Sequence, residues 1–159
     1  MPKKHTETVD SKLKTVWQVV SRMYNAEAAL RDATIAMAHF LLNVDSAEGS
    51  YASDIAPQLG MEQTSLTRLI NSLEEKELII RETDKDDRRK TLIRLTEKGI
   101  QQKNEAKQVV REFNRELEKR IGAAKIAAFF KTIDQITEIA EERYRLNIQT
   151  ERSNEAQYS

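Results

Sequence analysis

This chain of 159 residues contains no cysteine, which excludes disulfides, thiolate metal sites and a thiol redox switch. Chain breakers are scarce too, with four glycines and two prolines, and aromatics are few; both point to a mainly helical protein. There is no net charge, since 26 basic side chains face 26 acidic ones. That balance argues against non-specific coating of nucleic acid but leaves room for a local basic patch. No apolar run is long enough to span a membrane, and Met1 to Asp10 lack the apolar stretch of a signal peptide, so a cytoplasmic location is the expectation. Also missing are a glycine-rich phosphate loop, a cysteine nucleophile and any carboxylate-histidine pairing at metal-site spacing. With only His5 and His39 in the sequence, an imidazole-rich metal site cannot be built from one chain. An enzyme is the least supported class, and neither cofactor nor metal is expected.

What the chain does have is concentrated between Gly60 and Gly99. Leu66, Leu69, Ile70 and Leu73 recur at the interval that lines one helical face, which frees the opposite face for contact. Leu78, Ile79, Ile80, Arg81 and Glu82 read as a strand, and Thr91 to Leu95 alternate as its partner across a charged turn without glycine. Thr96 then supplies a helix start, because a threonine hydroxyl can accept a hydrogen bond from an orphan amide of the first turn. Helix, strand, turn, strand, helix is the order of a winged helix-turn-helix.

Residue types within that order suit DNA. Gln63, Thr64, Ser65 and Thr67 are short polar side chains at a helix start, where they can approach base edges in a major groove. The unpaired amides beside them favour phosphate. Arg68, one turn on, has the reach for guanine or phosphate. In the turn and second strand, Arg88, Arg89, Lys90 and Arg94 form a basic patch with no acid between them. Asp87 beside the patch can hold a guanidinium in a fixed pose by a charge-assisted hydrogen bond. The bland alternatives are a solvated polar surface, a purely capping role for Ser65 and Thr67, and an Arg94 paired within the sheet.

The pattern Ile55-Ala56, Leu59-Gly60-Met61, Ser65-Leu66-Thr67-Arg68, Leu73-Glu74, Leu78-Ile79, Arg81, Asp84, Asp87-Arg88-Arg89 and Leu95-Thr96-Glu97-Lys98-Gly99 resembles the MarR family of bacterial transcriptional regulators. The resemblance implies that Arg89 is the wing arginine entering the minor groove, that Asp87 orients it, and that Gln63 to Arg68 read the operator. It also implies repression relieved by a small phenolic or lipophilic effector bound between dimer helices and DNA-binding lobe. Two departures stand out. Glu77 occupies a position where family members usually carry glycine, so the turn is expected to close differently. Pro57 lies within the preceding helix, which is expected to start late, near Ser53, or to kink.

Outside the winged region the chain is helix after helix. Val9, Leu13, Val16, Trp17, Val20 and Tyr24 form one apolar stripe, and a second apolar segment runs from Ala33 to Val44. Ile100, Val109, Val110, Phe113 and Leu117 mark a long helix ending by Gly122, and Ile126 through Ala140 mark another. The expected fold class is thus mainly α with a small β-ribbon, a winged helix-turn-helix lobe between N- and C-terminal dimerisation helices. The divisions are a polar segment over 1–8, a dimerisation helix over 9–32, the DNA-binding lobe over 33–99, dimerisation helices over 100–148 and a polar tail over 149–159. A homodimer would bury the stripes and place two recognition helices about one DNA turn apart, with a monomer packing its helices on itself as the alternative. Trp17, Tyr24, Met37, His39 and Phe40 are the candidate effector pocket; their ordinary reading is helix-packing core. The competing function is a winged-helix protein-interaction module without DNA binding.

Overall fold

The structure is a computed structural model that describes residues 7–84 and 87–157, with side chains described through 149. Among the described residues six helices and three short strands follow one another: α1 (Val9–Ala29), α2 (Ile35–Asn43), β1 (Ser50–Tyr51), α3 (Ala52–Leu59), α4 (Gln63–Glu75), β2 (Ile79–Thr83), β3 (Thr91–Leu95), α5 (Glu97–Ile121) and α6 (Ala123–Gln157). The chain forms two compact units that divide within α5, one through Val110 and one from Arg111.

The core of the first unit follows from periodicity. Leu66, Leu69, Ile70 and Leu73 are buried along one face of α4, and they meet Phe40, Leu41 and Val44 at the end of α2, Ile55 of α3, and Leu78, Ile79 and Ile93 of the sheet. Thr34 caps α2 by accepting a bond from the Met37 amide at 3.2 Å. Among the described residues of this unit one lysine is buried: Lys103 of α5 donates its ammonium to the carbonyl of Val44, the C-cap of α2, where the negative end of a helix dipole favours a cation.

The sheet is antiparallel with strand order β1-β3-β2, and Ile79 faces Leu95 while Thr83 faces Thr91. Its third strand, β1, pairs Ser50 with Ile93 and Tyr51 with Leu92, so the expected two-stranded ribbon is a three-stranded sheet. β2 begins at Ile79; Leu78 is buried in the turn before it.

That turn corrects a second expectation. Glu77 sits at a φ of 60°, the left-handed geometry normally given to glycine. Its amide bonds to the Glu74 carbonyl at 2.8 Å and the Leu78 amide to the Leu73 carbonyl at 2.9 Å, which is the full double closure of a left-handed helix end. The turn therefore closes in the same way a glycine would allow, with a residue that has to tolerate the strain. The buried pair Leu73 and Leu78 on either side supplies the apolar contact that holds it.

α5 is fastened to this turn. The Thr96 hydroxyl accepts from the Gly99 amide at 3.0 Å, capping the helix, and donates to the Glu77 carbonyl at 2.7 Å. The Lys98 ammonium donates to the Lys76 carbonyl at 2.8 Å. Gly99 lies so close to Leu78 that a Cβ there would stand 1.9 Å from the Leu78 carbonyl oxygen, which makes glycine the only residue that fits.

Pro57 is inside α3, which starts at Ala52, one residue before the expected Ser53, and is capped after Leu59 by Gly60 with φ 59°. Two further expectations concern the termini. Of the polar segment 1–8, residues 1–6 lie outside the described residues. The stretch 149–159, expected as a tail, has a helical backbone that continues α6 through Gln157, and 158–159 are outside the description.

Candidate nucleic-acid interface

The burial of four leucine and isoleucine side chains on one side of α4 turns its other side outward. Gln63, Thr64, Ser65, Thr67 and Arg68 are all exposed there. The N-cap residue, Glu62, makes no side-chain capping bond, and its carbonyl accepts the Leu66 amide at 3.0 Å. The amides of Gln63, Thr64 and Ser65 therefore have no partner within the helix, and together with the aligned dipole they present partial positive charge. Thr67 is less free than its exposure suggests. Its hydroxyl donates to the Gln63 carbonyl at 2.9 Å, so toward a base it can act only as an acceptor. Arg68 has no hydrogen bond or ion pair among the described residues and keeps its full fork of donors for a ligand.

The wing is organised by carboxylates. Asp84 and Lys90 close its base through an amide-to-carbonyl bond of 3.1 Å, and the Lys90 amide bonds to the Asp87 carbonyl at 2.9 Å. Asp87 accepts from Arg89 three times: from the backbone amide at 3.1 Å, from Nε at 3.1 Å and from a terminal guanidinium nitrogen at 3.4 Å. The side-chain bond from Arg89 is the main reason the Asp87 carboxyl lies below its ordinary value, with the Arg89 amide and the charge of Lys90 adding and Asp84 opposing. Arg89 remains 91% exposed in its side chain while tethered. It is a cation held by one edge and open at the other. Arg88, also exposed, has no bond or ion pair among the described residues.

Behind this lies a pair of residues that the sequence pattern did not single out as functional. The Tyr51 hydroxyl donates to one oxygen of Asp84 at 2.5 Å, and the other oxygen of Asp84 accepts the Asp87 amide at 2.8 Å. The Lys90 ammonium stands 5.5 Å from the centre of the Tyr51 ring, over its face.

Two other basic residues are already engaged. Arg94 donates from Nε to Glu82 at 3.1 Å and from its terminal nitrogen to the Ala47 carbonyl at 3.4 Å, which makes it a sheet-fastening residue. Arg81 bonds to Asn71 at 3.1 Å and to Glu74, tying β2 to α4. The basic patch of the wing is therefore Arg88, Arg89 and Lys90, and the in-sheet reading of Arg94 is the one observed.

The candidate effector residues separate. Tyr24 and His39 line an apolar cavity of about 50 Å³ with Ala28, Ile35, Leu42 and Val109. Burial raises the Tyr24 phenol above its ordinary value. Met37 and Phe40, 5% and 0% exposed, belong to the core: they lie on the face of α2 that packs on α3 and α4 and do not line the cavity. Trp17 is 55% exposed and lies outside the cavity wall, stacked on His39 with ring centres 6.3 Å apart. At the rim, Arg31 donates to the Glu27 carbonyl at 2.9 Å and pairs with Glu105 at 3.2 Å. No group of acids and histidines able to hold a metal occurs among the described residues.

Comparison with known proteins agrees with this geometry. Residues 34–91 match the sequence profile of the MarR family. The fold is similar to that of the transcriptional regulator SlyA, with a TM-score of 0.77 at 18% identity over 88% of this chain and 99% of that one. It is also similar to MepR of S. aureus, solved in a complex with DNA, with a TM-score of 0.76 at 20% identity over 83% of this chain and 98% of that one. FabT of Streptococcus pneumoniae, likewise solved with DNA, gives a TM-score of 0.72 at 20% identity over 84% of this chain and 96% of that one. The fold is thus that of winged-helix regulators, mainly helical with a small sheet.

Proposed function

We propose that the chain is a regulator of transcription of the MarR type, whose sequence profile residues 34–91 match, and that it binds double-stranded DNA sequence-specifically as a homodimer on a pseudo-palindromic operator. The observation that carries this reading is the pairing of two features on one lobe. A recognition helix turns Gln63, Thr64, Ser65, Thr67 and Arg68 outward, and a wing presents Arg89 on an Asp87 tether. The helix enters a major groove, where Gln63 and Arg68 have the reach for base edges and the free amides of the first turn sit on phosphate. The wing arginine enters the neighbouring minor groove, and Arg88 and Lys90 meet the backbone on either side. Binding, not catalysis, is the activity, and no cofactor enters it.

Two features support the dimer. α1 leaves Val9, Val16 and Val19 more than half exposed, and α6 leaves Phe129, Phe130 and Ile139 equally so. Apolar faces of that extent on both terminal regions are what a second copy would cover, and a two-fold axis would set the two recognition helices at the half-site spacing, roughly 10 base pairs. Repression follows when the occupied operator overlaps a promoter. Among the described residues no helix is long and apolar enough to cross a membrane, and the proposed site of action is the cytoplasm, with the chromosome.

Release by a small aromatic or lipophilic effector is part of the proposal, and the cavity beside Tyr24 and His39 is its place. Arg31 at the rim is engaged by Glu105 and by the Glu27 carbonyl, so the cavity offers apolar surface rather than a free cation. Its present volume of about 50 Å³ is well below the several hundred Å³, roughly 300 or more, of a usual ligand site. An effector would therefore select a wider form, and it would release DNA only by binding that form more tightly than the operator-bound one.

Fluorescence anisotropy on the DNA upstream of the chain's own gene, against a scrambled duplex and across a salt series, tests the reading. If the upstream DNA yields nothing, duplexes selected from random fragments replace it. Preferential binding that weakens with salt is expected. A folded protein that selects no duplex at all would overturn the regulator reading in favour of a protein-interaction module.

A further inference from the structure

We propose that Tyr51 is a positioning residue for DNA recognition, a clamp that grips both legs of the wing and so fixes the pose in which Arg89 meets the duplex. The inference rests on the reading of the wing as a DNA contact and adds a residue to it. Tyr51 is placed for this by topology. It is the last residue of β1, pairs with Leu92 of β3, and its successor is the first residue of α3. Its side chain therefore belongs to the framework that carries the recognition helix, yet it reaches the wing.

The contact is double. On the outgoing leg, the phenol donates to Asp84 at 2.5 Å, a length typical of a charge-assisted bond to a carboxylate. On the returning leg, the Lys90 ammonium lies over the ring face at 5.5 Å. Asp84 passes the constraint on, because its second oxygen holds the Asp87 amide at 2.8 Å, and Asp87 in turn holds Arg89 at the backbone and at Nε. Four residues thus form one chain of bonds that begins on the lobe and ends on the exposed guanidinium. An arginine with an exposed side chain samples many rotamers, and ordering it on binding costs affinity. Preorganisation through Asp87 avoids part of that cost only if Asp87 is itself held, which is what Asp84 and Tyr51 do. A phenylalanine at position 51 would still lie beneath Lys90 but would leave Asp84 without its phenolic donor.

The test uses the full-length protein and a duplex recovered by selection. Tyr51→Phe is expected to weaken binding about five- to tenfold, the ordering cost of one long side chain that is no longer preorganised, and to lower the thermal midpoint only slightly. Asp84→Asn should reproduce the loss. In the Arg89→Ala background, Tyr51→Phe should cause no further weakening, since its effect runs through that side chain. In the free protein, the Arg89 side-chain Nε proton should exchange with solvent faster in Tyr51→Phe, a readout that a general role in folding would not move. Unchanged affinity in Tyr51→Phe, or an equal loss with and without Arg89, would overturn the proposal. If Arg89→Ala itself binds like the parent, it is the wing reading that fails. The exchange rate of the Arg89 proton then decides the clamp by itself, and no change in it overturns the clamp.

Discussion

Arg89 is exposed, cationic and tethered, a combination that separates its contribution to binding from any contribution to folding. Arg89→Ala is expected to weaken operator binding about tenfold or more, as removal of a minor-groove cation with its phosphate environment does, while leaving the thermal midpoint unchanged. Arg89→Lys should recover little of it, because an ammonium cannot use the fork by which Asp87 holds the guanidinium. Affinity measured beside differential scanning calorimetry checks both. Glu77 makes the opposite case, a residue whose cost is structural. A side chain held at φ 60° carries a penalty of about 1–2 kcal/mol, part of which a glycine would give back through its greater freedom in the unfolded chain. Glu77→Gly should therefore stabilise the protein by about 0.5–1 kcal/mol in urea denaturation, with operator affinity unchanged. Stability equal to or below the parent would mean that Glu77 gains something from its surroundings that offsets its backbone.

At the scale of the element, what could be read in advance was whatever repeats. α4 was legible because four apolar residues at helical spacing dictate which face is buried, and the exposed polar residues Gln63 to Ser65, Thr67 and Arg68 are the complement of that face. β1 was not, because two residues carry no period; it exists only through its pairing with β3, a partner some forty positions along the chain. Arg94 stood between patch and sheet in the sequence, and it is the β2–β3 register, setting Ile80 against Arg94, that brings Glu82 within its reach. Nor did the pattern reveal Tyr51, whose role depends on where β1 lies and not on its neighbours in sequence. Met37 and Phe40 stood between a pocket and a helix-packing core in the sequence, because composition does not say which face of α2 a residue occupies; both are buried in the core. Burial of Lys103 between α5 and the end of α2 was equally hidden, because one charged residue in a charged helix gives no sign of facing inward. Desolvation holds the pKa of this ammonium below its usual 10.5, with Lys107 lowering it further and Asp45 opposing. Between the lowered value and 10.5 the unfolded chain binds more protons than the folded one, so stability rises with pH across that interval. Below the interval both states are protonated and the term is constant. Lys103→Met should remove this component, and urea midpoints of parent and variant compared from pH 8 upward should diverge in slope.

For the molecule as a whole, the exposed apolar faces of α1 and α6 make the oligomeric state the decisive quantity. Val16 and Ile139 are 57% and 61% exposed in the single chain, positions where a carboxylate would harm little in a monomer. Val16→Glu or Ile139→Glu should shift sedimentation toward the monomer and reduce affinity for a two-half-site operator far more than for a single half-site, since the gain from linking two readers is lost. An unaltered sedimentation profile in both variants would remove these faces from the interface. The seam at the start of α5 ties the lobe together. Thr96 and Lys98 bond to the carbonyls of Glu77 and Lys76, in the turn that ends α4, and Gly99 lies against Leu78 with no room for a methyl group between them. Any side chain larger than hydrogen at position 99 would have to displace the turn that ends α4, so the corner between α4 and α5 is set by the absence of a single carbon atom.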